Sequence, residues 1–118
     1  MYNITINERA IPKLRMTRYS KFSPAAQKCL AYQDNIGYEA GKVIKKPYTC
    51  PVWLRATFHF KGKRRADLSN LIKAIEDGLN GIAYEDDKQI VRLEAIAFED
   101  SKAGDKIIIE VEGGEVGR

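Results

Sequence analysis

A chain of 118 residues, 44% of them hydrophobic, is long enough for one hydrophobic core and too short for two, which predicts a single domain over 1–118. No apolar run approaches the length of a membrane span, and Met1-Tyr2-Asn3-Ile4-Thr5 lacks a basic region followed by an apolar stretch, so a cytoplasmic protein with no membrane partner is expected. Cys29 and Cys50 belong to neither a CxxC nor a Cys/His cluster, which argues against a zinc site or a disulfide framework.

The net charge of +4 is unevenly distributed. Residues 1–66 hold fourteen Lys/Arg and three acids, whereas residues 67–118 hold six Lys/Arg and thirteen acids. Lys42 to Ala66 contains eight basic residues and no carboxylate. A polyanionic partner suits the basic half, although folding could also interleave the two halves into a mixed surface.

In chain order, Tyr2 to Glu8 alternates as a strand, with Tyr2, Ile4 and Ile6 on one face. Ser23 as N-cap and Pro24 at the first helical position open a helix reaching roughly Gly41. Pro51 to Phe60 predicts a strand, with Val52, Leu54, Ala56, Phe58 and Phe60 opposite Trp53, Arg55, Thr57 and His59. Asp67 to Leu79 predicts a second helix with Leu68, Leu71, Ile72, Ile75 and Leu79 on one face. Strands follow near Ile90 to Phe98 and Lys106 to Glu112, separated by a turn around Ala103-Gly104-Asp105, and residues 113–118 read as a flexible tail. The order β-α-β-α-β-β predicts a mixed α/β (α+β) domain in which two helices cover one mixed sheet.

The chemistry concentrates between Lys61 and Gln89. A basic loop, Lys61-Gly62-Lys63-Arg64-Arg65, precedes a helix whose polar side collects Asp67, Asn70, Lys73 and Asp77. Taken singly, these residues also fit bland roles: Asp67 an N-cap, Lys73 a surface lysine, Asp86-Asp87 a turn. Chain geometry connects them. The helix would be ~18 Å long and Gly81 to Asp87 can reach back ~23 Å, so the Asp86-Asp87 pair can return beside Asp67. Gathered carboxylates repel unless a cation or lysine offsets them, and an oxygen-only donor set selects Mg²⁺ or Mn²⁺. Such an ion beside a basic surface suits phosphodiester hydrolysis. His59 is the only histidine and stands inside a strand, so triad and zinc-protease chemistries lack parts, and there is no phosphate-binding GxxxxGK[ST] loop.

Asp67-Leu68-Ser69-Asn70-Leu71-Ile72-Lys73, then Asp77-Gly78-Leu79-Asn80-Gly81 and Tyr84-Glu85-Asp86-Asp87-Lys88-Gln89-Ile90, resemble the signature of the RusA family of Holliday junction resolvases. The likeness extends in kind to Arg15-Met16-Thr17-Arg18-Tyr19 and Tyr32-Gln33-Asp34-Asn35. It implies a homodimer that binds four-way DNA junctions and cuts two opposing strands symmetrically with Mg²⁺. Carried over by position, Asp67 and Asp87 are metal-binding carboxylates, joined by Asp86 as ligand or orienting neighbour, and Lys73 is the lysine needed for catalysis. Lys13, Arg15, Arg18, Lys63, Arg64 and Arg65 are then candidates for holding DNA phosphates, with Tyr19 and Phe22 as stacking candidates at the crossover. One position departs from the family pattern: Ser69 stands where the second acid of Asp-Leu-Asp-Asn is expected. That departure keeps open a non-catalytic junction-binding relative, beside a third reading as a basic RNA- or protein-binding domain.

Overall fold

The expected periodicities become elements in the computed structural model, which describes residues 1–14 and 22–114. Arg15, Arg18 and Tyr19 therefore lie outside the described residues. Strand β1 spans Tyr2–Ile6 and buries Ile4 and Ile6. Helix α1, Pro24–Val43, is capped by Ser23, whose Oγ accepts from the Ala26 amide at 3.1 Å. It continues two residues past Gly41, because Ile44 still donates to the Ala40 carbonyl at 2.8 Å. It ends at Ile44, whose backbone is extended, and Pro47 keeps the following residues from resuming the helix by disfavouring helical backbone at Lys46.

Strand β2, Val52–His59, keeps the expected alternation: Val52, Leu54, Ala56 and Phe58 are buried. Helix α2, Leu68–Leu79, buries Leu71, Ile72, Ala74, Ile75 and Leu79 along one side. A 3-10 turn, Asp87–Gln89, leads directly into β3, Ile90–Phe98, and β4 spans Lys106–Gly113. Gly113, expected in a flexible tail, is instead the last residue of β4 and pairs with Val52; residues 115–118 lie outside the description.

The sheet order is β1-β4-β2-β3. β2 and β3 run parallel, as their connection through α2 requires, whereas β4 lies antiparallel between β1 and β2. The chain reaches β4 by crossing the end of β2, where Phe60 donates to Phe98 and accepts from Ser101 at 2.9 Å each. This is a mixed four-stranded sheet with two helices, in the order β-α-β-α-β-β.

One core joins the inner sheet face to both helices, with Ile36, Leu54, Phe58, Leu71, Ile75, Leu79 and Ile109 at its centre. Each such side chain contributes about 1.5–3 kcal/mol relative to exposure. The helices meet closely at two glycines: a Cβ on Gly78 would stand 3.1 Å from the Gln33 carbonyl oxygen, and one on Gly37 would stand 3.1 Å from that of Gly78. This contact holds the C-terminal half of α2 against α1.

The opposite sheet face carries Trp53, Arg55 and His59. Arg55 is held by Glu110 at 2.7 Å and Glu94 at 3.6 Å, Arg92 lies over the Trp53 ring at 4.3 Å, and His59 stacks on Phe98 at 5.2 Å. His59 thus has a structural setting. No helix among the described residues is long and apolar enough to cross a membrane.

Candidate functional site

Two segments carry the candidate carboxylates. Asp67 has extended backbone, and its Oδ1 accepts from the Asn70 amide at 2.9 Å, closing the first turn of α2. The bland role is therefore real, but it occupies only one oxygen: Oδ2 makes no hydrogen bond among the described residues. Asn70, Ser69 and Lys73 follow on the exposed side of the same helix.

The second segment is the loop that leaves α2. Gly81 takes a positive φ of 83°, a conformation that side chains other than glycine's rarely adopt, and this turns the chain back. Tyr84 then anchors the loop from inside the core: it is fully buried, and its hydroxyl donates to the Glu76 carbonyl at 2.7 Å. Burial raises the Tyr84 pKa, and the nearby carboxylates of Glu76, Asp87 and Asp77 add to that shift, so the hydroxyl stays a donor. Beyond this anchor, Asp86 caps the 3-10 turn by accepting from the Lys88 amide at 2.9 Å, which holds its carboxyl below the usual carboxylate range.

Asp87 is half-buried, and its Oδ2 lies 3.8 Å from Lys73 Nζ. The loop thus returns to α2 as chain length allows, with Lys73 as the point of contact. Lys73 follows Asp67 by six positions, ~9 Å along the helix axis. Glu76, absent from the candidates drawn from sequence, joins this end of the site. Burial raises its pKa first; Lys73 opposes the rise, and Asp87 and Asp77 add to it. The only sequence signal was its place one turn after Lys73.

The donor chemistry of Asp67, Asp86 and Asp87 fits a hard divalent cation, since all the donors are carboxylate oxygens. Among the described residues, however, no three Asp, Glu, His or Cys side chains are gathered closely enough to hold an ion. The fit lies in ligand type, and one oxygen of Asp86 is already used by its cap.

A cleft of about 740 Å³ adjoins Asp67, lined by Lys13, Lys63, Arg65, Phe60 and Asn70 among others. Arg65 is exposed and forms no ion pair among the described residues. Lys63 reaches Asp100 at 2.7 Å, an exposed pair of little energetic weight. Lys13 is more committed: its Nζ contacts Asp77 at 2.5 Å, and its amide donates to the Asn70 carbonyl at 2.9 Å. Arg64 is outside the cleft lining; it pairs with Glu99 at 3.4 Å and donates to the Ala66 carbonyl at 3.1 Å. Arg9, which sequence reasoning missed, shapes the basic loop by donating to the Lys61 and Lys63 carbonyls and to Asp105 while lying over the Phe60 ring.

These features define a small α+β domain in which a basic cleft leads to Asp67, the cap of the helix that carries Lys73. The family model for endodeoxyribonuclease RusA matches residues 10–112, and the chain belongs to that family. The match spans both carboxylate-bearing segments and every residue lining the cleft except Arg9. No curated protein matches the chain significantly.

Proposed function

We propose that this protein is a Mg²⁺-dependent endonuclease, with Mn²⁺ as a possible substitute, that binds four-way DNA junctions and resolves them by paired symmetric nicks. The observation that carries this reading is the continuity of the basic cleft with Asp67, on the helix whose Lys73 faces Asp87. Lys13, Lys63 and Arg65 would contact flanking phosphates, which positions DNA without reading its bases. Asp67 and Asp87, with Asp86 next to Asp87 in the chain, would hold the cation; when bound, it would supply Lewis acidity at the scissile phosphate. The Lys73 ammonium, 3.8 Å from Asp87, would offset charge developing on that phosphate or orient the attacking water.

Symmetric cutting needs two sites related by a two-fold axis, and this chain supplies one set of these residues, so the active species is proposed to be a homodimer. The edge of the sheet supports this: among the described residues β3 has a neighbour on one side only, and it exposes Val91, Leu93, Ile96 and Phe98 on its two faces, so a second copy pairing along it would cover an apolar edge. Exposed Ser69 in the first turn of α2 favours a second reading, a junction-binding protein without nuclease activity. Incubating a labelled synthetic junction with Mg²⁺ and then with chelator separates the two. The nuclease gives two symmetric nicks that chelator abolishes, whereas the binder shifts the junction without cutting it. Equal affinity for structured RNA would favour the third reading, a basic RNA-binding domain.

A further inference from the structure

The carboxylates of the return loop are useful only if that loop is held still, and Tyr84 fixes it only as far as its own position. Up to there, the backbone supplies the contacts: the Tyr48 amide donates to the Ala83 carbonyl at 2.9 Å, and Tyr48 bridges to Tyr84. The amides of Glu85 and Asp86 turn instead to one side chain, each donating to Gln89 Oε1 at 2.9 Å. The other end of that side chain reaches the approach to β2, where Gln89 Nε2 donates to the Tyr48 carbonyl at 2.8 Å and the Cys50 carbonyl at 2.9 Å.

A carboxamide has two donor hydrogens and two main acceptor directions, and Gln89 uses all four. Its orientation is dictated by these neighbours, because two amides must face oxygen and two carbonyls must face nitrogen. Asp87 lies between the two halves of this capping box, after Asp86, whose Oδ1 takes the Lys88 amide, and before Gln89. Immediately after Gln89, the parallel β2–β3 pairing begins at Val52 and Ile90 and shifts register by Trp53. Gln89 is thus the side-chain tie between the acidic loop and the sheet, at the point where the sheet itself is irregular.

We infer that Gln89 is a positioning residue: its carboxamide sets the place of Asp87 opposite Lys73, and through it the cation affinity of the site. This rests on the reading of Asp87 as a cation-binding carboxylate. No other side chain of similar size can do the same. Glutamate would present oxygen to two carbonyls, and methionine fills similar space without any of the four bonds.

The test uses the full chain, wild type beside Gln89→Glu, Gln89→Met and Asp87→Asn. Mn²⁺ alone is titrated calorimetrically without DNA, junction nicking is followed across a Mg²⁺ series, and amide exchange is read at Glu85 and Asp86. The expected result is a loss of Mn²⁺ affinity of about 10- to 100-fold in both Gln89 variants, the range typical when a group orienting a metal ligand is removed. The Mg²⁺ requirement for nicking should rise in parallel, while nicking at saturating Mg²⁺ recovers most of the wild-type rate and cation-free junction binding is unchanged. A purely structural role would instead lower melting temperature and leave the cation titration of the folded protein unmoved, which would overturn the inference. Fast, unprotected exchange of the Glu85 and Asp86 amides in the wild type would overturn it without any variant, and their protection would support it even if both variants failed to fold. Should Asp87→Asn be inactive while folded Gln89→Met titrates like wild type, Gln89 alone loses its role. Wild-type nicking by Asp87→Asn would remove the reading of the site and this inference with it.

Discussion

Lys73 on α2 faces Asp87 on the return loop at 3.8 Å, with both side chains partly open to solvent. At that exposure the pair contributes little to stability, on the order of 1 kcal/mol or less. Its geometry is nevertheless expensive to build, requiring a positive-φ turn at Gly81, a buried tyrosine anchor at Tyr84 and a capping box closed by Gln89. So much local structure around so weak an ion pair points to a use for the two charges other than holding the fold together.

Glu76 supplies a pH test of that crowding. Its carboxyl has a folded pKa above the ordinary 4.5, with burial the main cause and Asp87 and Asp77 adding to it. The folded state therefore holds this proton more tightly than the unfolded chain does. The penalty of charging Glu76 is fully present above its raised pKa and disappears as pH falls through that value to 4.5 and below. Glu76→Gln should accordingly raise the melting temperature at pH 7 without divalent cations, with the gain shrinking toward zero near pH 4. Melting curves of both proteins across pH 4–8 check this; a gain that grew on acidification would contradict the assigned shift.

The basic loop should not act uniformly. Arg65 lines the cleft free of ion pairs among the described residues, whereas Arg64 is turned to Glu99 and the Ala66 carbonyl. Junction affinity should fall steeply with salt, each neutralised phosphate adding about −0.9 to the log-log slope on duplex DNA. Arg65→Ala should reduce that slope by about 1. Arg64→Ala should change it less and instead loosen the loop, so equal slopes for the two variants would show that the cleft is not the DNA path.

Much of the fold was legible in the sequence because its signals are local and periodic. The alternation of β2 and the apolar stripe of α2 each describe one face, and one face was enough to place them. Helix rise and loop length allow the Asp86-Asp87 pair to reach back toward Asp67, but the contact the loop makes on α2 is with Lys73, six positions further along. The partners of individual charges were not legible. Lys13, Lys63, Arg64 and Arg65 are equivalent in sequence, and they differ only because folding brings Asp77, Asp100 and Glu99 to three of them. Glu76 and Gln89 were missed for a related reason: each acts through a segment distant in sequence, Glu76 through Asp87 and Gln89 through Tyr48 and Cys50.

Ser69 stands in the first turn of α2, which contains no acidic residue inside its cap. Ser69→Asp should therefore act twice. An anion there complements the helix dipole and should stabilise by about 0.3–1 kcal/mol. It also adds an oxygen ligand beside Asp67, which should lower the Mg²⁺ concentration for half-maximal nicking. Higher melting temperature with an unchanged Mg²⁺ titration would mean that the site is built without position 69.

Neutralising Asp67 or Asp87 should move binding and cutting in opposite directions. Asn preserves the size of the side chain and, at Asp67, preserves a good helix cap, so the fold should lose about 1 kcal/mol or less. At Asp87 the exposed pair with Lys73 is lost, with a similarly small effect on stability. The missing charge matters more to the partner. The wild-type carboxylates repel an incoming phosphate backbone until a cation offsets them, so without Mg²⁺ each variant should bind a four-way junction as tightly as wild type or more tightly. With Mg²⁺, each variant lacks a cation-holding group and should fail to nick. If Asp67 were only a cap and Asp87 only a turn residue, both variants would keep wild-type nicking per folded molecule. Measuring junction affinity in chelator, nicking in Mg²⁺ and melting temperature on the same two proteins distinguishes the accounts. Retained nicking in both would remove these residues from the chemistry, whatever their place in the fold.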